Sequence, residues 1–156
     1  MRQLLACLSR DERGTLAIET AIVAPTLILL ALGAFQASEI VARQTELQSA
    51  IQEAQSVALA IAPETEADRT TLQGIIVSST DLPASQVLVE FTFRCGSNTT
   101  FVASSTTCGT GNPYASYVRI TLTDTYTPTW VNFGIGAPIN LTVQRLVIIK
   151  QANQIA

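Results

Sequence analysis

The sequence predicts an α+β protein: one long N-terminal helix, transmembrane in its first half and amphipathic in its second, then a short second helix and a small antiparallel sheet. Three observations carry this. Residues 16–35 read LAIETAIVAPTLILLALGAF, an apolar run whose only charge is Glu19. The run continues into EIVARQTELQSAIQEAQSVALAIA, where apolar residues recur at helical spacing up to Pro63. Beyond that proline the period changes, and three segments alternate apolar with polar residues as half-buried strands do.

The apolar run comes first. At about 1.5 Å per residue, some twenty residues cross the roughly 30 Å hydrocarbon core of a bilayer. A chain of 156 residues could hardly cover such a helix on every side, which sets aside a buried core helix. A cleaved secretory signal would have a shorter apolar region and a small-residue site after it. Here the run is longer and merges into a further helix. The reading is a leader at residues 1–14, a membrane span at 15–40, an exported amphipathic helix at 41–62 continuous with the span, and an exported α+β domain at 63–156. Arg2, Arg10 and Arg13 precede the span, and Arg43 is the nearest positive residue after it. The positive-inside bias therefore keeps the N-terminus in the cytoplasm and exports the rest. Pro25, in mid-span, removes one backbone hydrogen bond and is expected to kink or loosen the helix.

In the exported half of the helix, Ile40, Leu47, Ile51, Ala54, Ala58 and Ile61 form a stripe. Packing on the protein's own domain is the favoured use of it, with an intermolecular coiled coil as the other; different faces can serve both. A second helix is expected from near Glu64, its acidic first turn suiting the helix dipole, with Leu72, Ile75 and Ile76 inward and Pro83 closing the segment. QVLVEFTFRC then places Val87, Val89, Phe91 and Phe93 on one side and Glu90, Thr92 and Arg94 on the other. YVRITLTDTY repeats the alternation, with Val118, Ile120 and Leu122 inward, and INLTVQRLVIIK forms a last strand through Leu141, Val143, Val147 and Ile149. Three or so strands are expected to pack on the long helix. Cys95 and Cys108 bracket a polar loop in the exported part, where oxidation is allowed, and are expected to form a disulfide worth roughly 3 kcal/mol. Cys7 is left over on the cytoplasmic side.

Chemistry is sparse. The chain has no histidine, so the commonest general base and every Ser-His or Cys-His pair are missing, and no enzyme is expected. No metal site, glycine-rich phosphate loop or calcium-loop spacing stands out, and no cofactor is expected. Glu90 and Asp124 are read as solvated acids without an obvious partner. After Gly14 the chain holds six basic and ten acidic residues. That acidic balance argues against nucleic acid, which needs a basic surface. Two Asn-X-Thr triplets, at Asn98 and Asn140, are too short a pattern to assign.

A charged leader, then Gly14, then an apolar helix with a glutamate five residues on, resembles the class III signal of type IV pilin-like proteins. More specifically, residues 13–60 resemble the TadE-like family of the tight-adherence (Flp, type IVc) pilus, through Gly14, Glu19, Pro25, Gly33, Glu39 and the alanine-rich helix that follows. Thr15 and Thr20 depart from pilin patterns that favour an aromatic at one of these places, which weakens a reading as the major pilin. The resemblance implies a pilin-like fold and a minor pilin or pseudopilin. It implies a cut between Gly14 and Thr15 by a prepilin peptidase, and an assembly role for Glu19. It also implies a home in the bacterial inner membrane, with other pilin-like subunits, the pilus assembly platform and the lipid bilayer as partners. The alternative is a bitopic inner-membrane protein whose exported domain binds a ligand or protein, with no pilus role.

Overall fold

The computed structural model describes residues 12–80 and 82–151, apart from the side chains of residues 12–16 and Phe133. Its elements are α1 (Glu12–Ile61), α2 (Glu66–Thr80), β1 (Val87–Cys95), β2 (Phe101–Val102), β3 (Tyr114–Tyr126) and β4 (Ile139–Gln151), with 3-10 turns at Ala84–Gln86, Ser105–Cys108 and Thr129–Phe133. The fold is α+β, and the strands form one antiparallel sheet ordered β2-β1-β3-β4. Internal contacts divide the chain into two units, Met1–Val41 and Ala42–Ala156.

Within the first unit, α1 is apolar all round. Leu27, Ile28, Leu29 and Leu30 point in four directions about the axis, and each is 59–70% exposed. Water does not tolerate such a helix, and a bilayer requires one. The helix runs unbroken through Pro25. Proline has no N–H, so the Ala21 carbonyl lacks its usual donor four residues on. The neighbouring Thr26 hydroxyl donates back to the Ile22 carbonyl at 3.1 Å, which satisfies that polar group inside the helix.

The second unit holds the core. Leu47, Ile51, Ala54 and Ala58 of α1 are at most 3% exposed, together with Leu72 and Ile76 of α2, Val87 and Val89 of β1, and Val118, Ile120 and Leu122 of β3. The α1 stripe thus packs on the protein's own domain. From Arg43 to Ile61 α1 rises about 27 Å, and from Leu141 to Lys150 β4 rises about 30 Å. Ion pairs stand at the two ends of this span. Arg43 Nε meets Asp124 Oδ2 at 2.6 Å, where Asp124 lies opposite Leu141, and Lys150 Nζ meets Glu64 Oε1 at 3.3 Å. The C-terminal half of α1 therefore runs along β3 and β4 in the direction of β4.

α1 stops at Ala62, which takes a left-handed φ of 45° and donates its N–H to the Ala58 carbonyl at 2.9 Å. Glycine usually fills this place, because a Cβ is strained there. Pro63 follows and cannot continue the helix. Thr65 caps α2, two residues inside the position expected from sequence: its hydroxyl accepts from the Asp68 N–H at 3.2 Å while the Asp68 carboxylate reaches back to the Thr65 N–H at 3.0 Å. This is a capping box with aspartate in the third helical position. Leu72 and Ile76 face inward as expected, four residues apart. Ile75 does not; it is 37% exposed, since a third inward position would widen the stripe beyond what one strand edge can cover.

α2 seals an edge. On one side β1 pairs with β3, but on the other β2 reaches only Phe93 and Arg94. An open strand edge invites foreign strands. Here Gln73 Nε2 donates to the Val87 carbonyl at 2.7 Å and Arg69 Nη1 to the Val89 carbonyl at 3.1 Å. Four helical residues rise about 6 Å and two strand residues about 6.7 Å, so side chains at helical i and i+4 meet alternate carbonyls.

The three expected strands are joined by a short fourth, and one residue expectation needs correction. The sheet has four strands, because Phe101–Val102 inside the cysteine loop pairs with β1. Thr92, expected outward, is 5% exposed. The same loop folds over that face: Phe101 meets Tyr117 edge-on with ring centres 5.3 Å apart, and the Arg94 guanidinium stands 5.7 Å over the Tyr117 ring. Tyr117 lies opposite Thr92 in the register and shares its cover.

Candidate anchoring and assembly site

The residues singled out in the sequence fall into two groups. Gly14 and Thr15 lie in helical backbone, since α1 already includes Glu12 and Arg13. No change of secondary structure marks the expected cut. Arg2, Cys7 and Arg10 lie outside the described residues, with most of the expected leader. Glu19 is exposed and borders a shallow open groove on α1 with Thr20, Val23, Ala24 and Leu27. These five positions share one helical stripe because they recur every three or four residues. Thr15 is one turn before Glu19, about 6 Å along the axis. A lone carboxylate in a run of exposed apolar side chains is costly in lipid, so it calls for a partner or a function. Pro25 lies six residues on from Glu19 and does not line this groove.

In the second unit the charges are paired. Asp124, read from sequence as solvated, has a side chain only 12% exposed. Arg43 bonds it and also meets Glu46 Oε2 at 2.8 Å, one turn along α1. Asp124 first and Glu46 second hold the Arg43 proton more tightly than an ordinary arginine does. The correction has a simple cause. Asp124 shares the parity of Val118, Ile120 and Leu122, so alternation points it at the helix, where it survives because Arg43 reaches it. Glu90 is the milder case: it sits across from Arg119 on the outer face, 4.0 Å from its guanidinium. A small recess beside the pair is lined by Arg43, Glu46, Leu47, Ala50, Thr80 and Leu82.

Cys95 and Cys108 are joined, with Cα atoms 5.2 Å apart. The bridge closes the loop that carries β2 and holds it over Tyr117. Among the described residues, no cluster of three or more His, Cys, Asp or Glu could hold a metal ion.

One comparison with known proteins bears on this arrangement. A family model described as TadE-like protein matches residues 14–55. The match opens at Gly14, takes in Glu19, Pro25 and Arg43, and ends inside the buried stripe of α1, before the first strand. The chain thus carries a TadE-like segment, consistent with a TadE-like family member, and such a segment suggests a protein associated with the Tad pilus. No curated protein and no solved structure matches the chain. The long apolar N-terminal helix fits a single-pass membrane protein.

Proposed function

We propose that this protein is a minor pilin-like (pseudopilin) subunit that acts in the biogenesis or initiation of a type IVc tight-adherence pilus. A prepilin peptidase cuts it between Gly14 and Thr15, and the apolar helix is kept as its inner-membrane anchor. The observation that supports this reading is the TadE-like match that begins at Gly14 and takes in the apolar run of residues 16–35, whose only charge is Glu19. Cleavage frees an amine on Thr15 one turn from Glu19, at nearly the same depth in the bilayer. The Thr15 amine of one subunit pairs with Glu19 of a neighbour, which offsets the cost of holding each charge in lipid. The exported domain then presents its surfaces to the other subunits and to the assembly platform.

The mature N-terminus tests the reading. Mass spectrometry of the protein from cells with an active peptidase is expected to find a chain beginning at Thr15. Gly14→Leu is expected to leave a chain heavier by the mass of the leader. An intact Met1 in the wild-type protein would refute processing and favour a bitopic protein with no pilus role.

A further inference from the structure

The connection between β3 and β4 has a composition unlike the rest of the exported domain. From Thr125 to Gln144 there is no charged residue, and the stretch TPTWVNFGIGAP at its centre holds the one tryptophan of the chain. Ile135 at its tip is 64% exposed, while Trp130 and Val131 are half-buried. The loop makes its own backbone hydrogen bonds. Val131 N–H donates to the Pro128 carbonyl at 3.1 Å, Gly134 N–H to Val131 at 3.0 Å, and Ile135 N–H to Trp130 at 3.2 Å. Gly134, at φ 76°, closes the turn in the left-handed conformation. The indole edge of Trp130 lies against Gly136, where a Cβ would meet Nε1 at 3.4 Å. Among the described residues the indole N–H has no hydrogen-bond acceptor.

The Arg43–Asp124 pair on α1 and the Glu64–Lys150 pair just past its end tell at which end of the sheet this loop lies. β3 runs from Ser116, opposite Lys150 and so at the Glu64 end of α1, to Asp124 at the Arg43 end. It then continues for two residues more, and Pro128 opens the loop about 13 Å beyond Asp124. Arg43 follows the membrane span by three residues in sequence. The strand thus carries its uncharged, tryptophan-bearing loop past the end of the second unit at which α1 enters it.

We infer that residues 127–138 form a membrane-interface loop, with Trp130, Val131 and Ile135 seated among lipid headgroups and the first carbons of the acyl chains. The inference rests on the single-pass reading of α1 given above. Tryptophan favours this depth because its ring is apolar and its N–H wants an acceptor, which phosphate and ester oxygens supply. A loop with no charge, and with three of its backbone N–H groups already bonded, enters at lower polar cost than a charged, open one. The loop is a second point of attachment to the bilayer.

Trp130 is its own probe. The full-length protein is reconstituted in vesicles of phosphatidylcholine and phosphatidylglycerol, with bromines near the glycerol end of the acyl chain or near its methyl end. The inference expects blue-shifted Trp130 emission, with stronger quenching by the shallow label than by the deep one. In a Trp130→Phe background, Ser97→Trp places the reporter in the loop after β1, at the opposite end of the sheet, and is expected to escape both labels. Ile135→Asp is expected to shift Trp130 emission to the red and relieve its quenching. Protein that floats with the vesicles while Trp130 ignores both labels overturns the inference and leaves the anchor standing. Protein that fails to float overturns both. Equal quenching of the Ser97→Trp reporter also overturns it, since contact would then not be confined to this loop.

Discussion

Asp68 gathers three donors on one carboxylate oxygen: the N–H groups of Glu64 and Thr65 and the Thr65 hydroxyl, at 3.2, 3.0 and 2.8 Å. All three favour the charged form, and the Thr65 hydroxyl and N–H contribute most, so the carboxyl titrates below the ordinary aspartate range. A carboxyl whose value is depressed on folding stabilises the fold above its unfolded value and loses that contribution as the pH falls through its folded one. Acid is therefore expected to loosen the first turn of α2 before the core. An NMR titration should place the Asp68 midpoint below that of a peptide aspartate, and amide exchange at Ala67 to Arg69 should quicken over the same range. Asp68→Asn should remove the pH dependence. An Asp68 midpoint at the peptide value would contradict this account. Single residues also show what sequence could and could not reveal here. The inward parity of Asp124 was readable beside Val118, Ile120 and Leu122; its partner was not, because Arg43 lies 81 residues away and only the fold brings the two together.

Among the elements, α2 has two duties: Leu72 and Ile76 fill the core, and Arg69 and Gln73 cover the edge of β1. Gln73→Ala keeps the helix, since alanine favours it, and leaves the half-buried Val87 carbonyl without its donor. The expected loss is about 1–2 kcal/mol in urea unfolding. The exposed edge should also raise self-association in light scattering, because unpaired carbonyls seek strands. Unchanged stability and no association would show that solvent satisfies this edge unaided. The long helix and three strands could be read from periods of 3.6 and 2 alone, since each carries enough repeats to be recognised. β2 could not. Two residues carry no period, and Phe101–Val102 pairs at all only because its loop is drawn back over Tyr117 and closed by the Cys95–Cys108 bridge. The same cover explains the buried Thr92, a threonine at a position where alternation calls for solvent.

For the whole molecule, the proposed role turns on Glu19. Glu19→Ala is expected to insert and fold normally, because removing a charge makes a span more apolar. Assembly is expected to fail: cross-linking to pilin-like partners and piliation should both fall. Glu19→Gln separates charge from shape, since it keeps the size and a hydrogen-bonding amide but cannot form the ionic pair. Normal piliation and cross-linking in both variants would return Glu19 to a tolerated carboxyl that reaches water at the interface. The apolar helix was legible because a run of some twenty apolar residues is a strict rule of composition. The unit that follows was legible only as elements, since its order, β2-β1-β3-β4, depends on contacts between distant residues.

The fastening of α1 along β3 and β4 has a mechanical consequence. When the chain is pulled from its N-terminal side, load enters the second unit through α1, at Arg43. The buried stripe from Leu47 to Ala58 lies lengthwise against the strands, so the pull acts in shear and its contacts resist together rather than peeling away in turn. Survival under such a pull is set by the rate of unfolding and not by equilibrium stability. A domain built this way can bear traction along α1 even where it is only modestly stable.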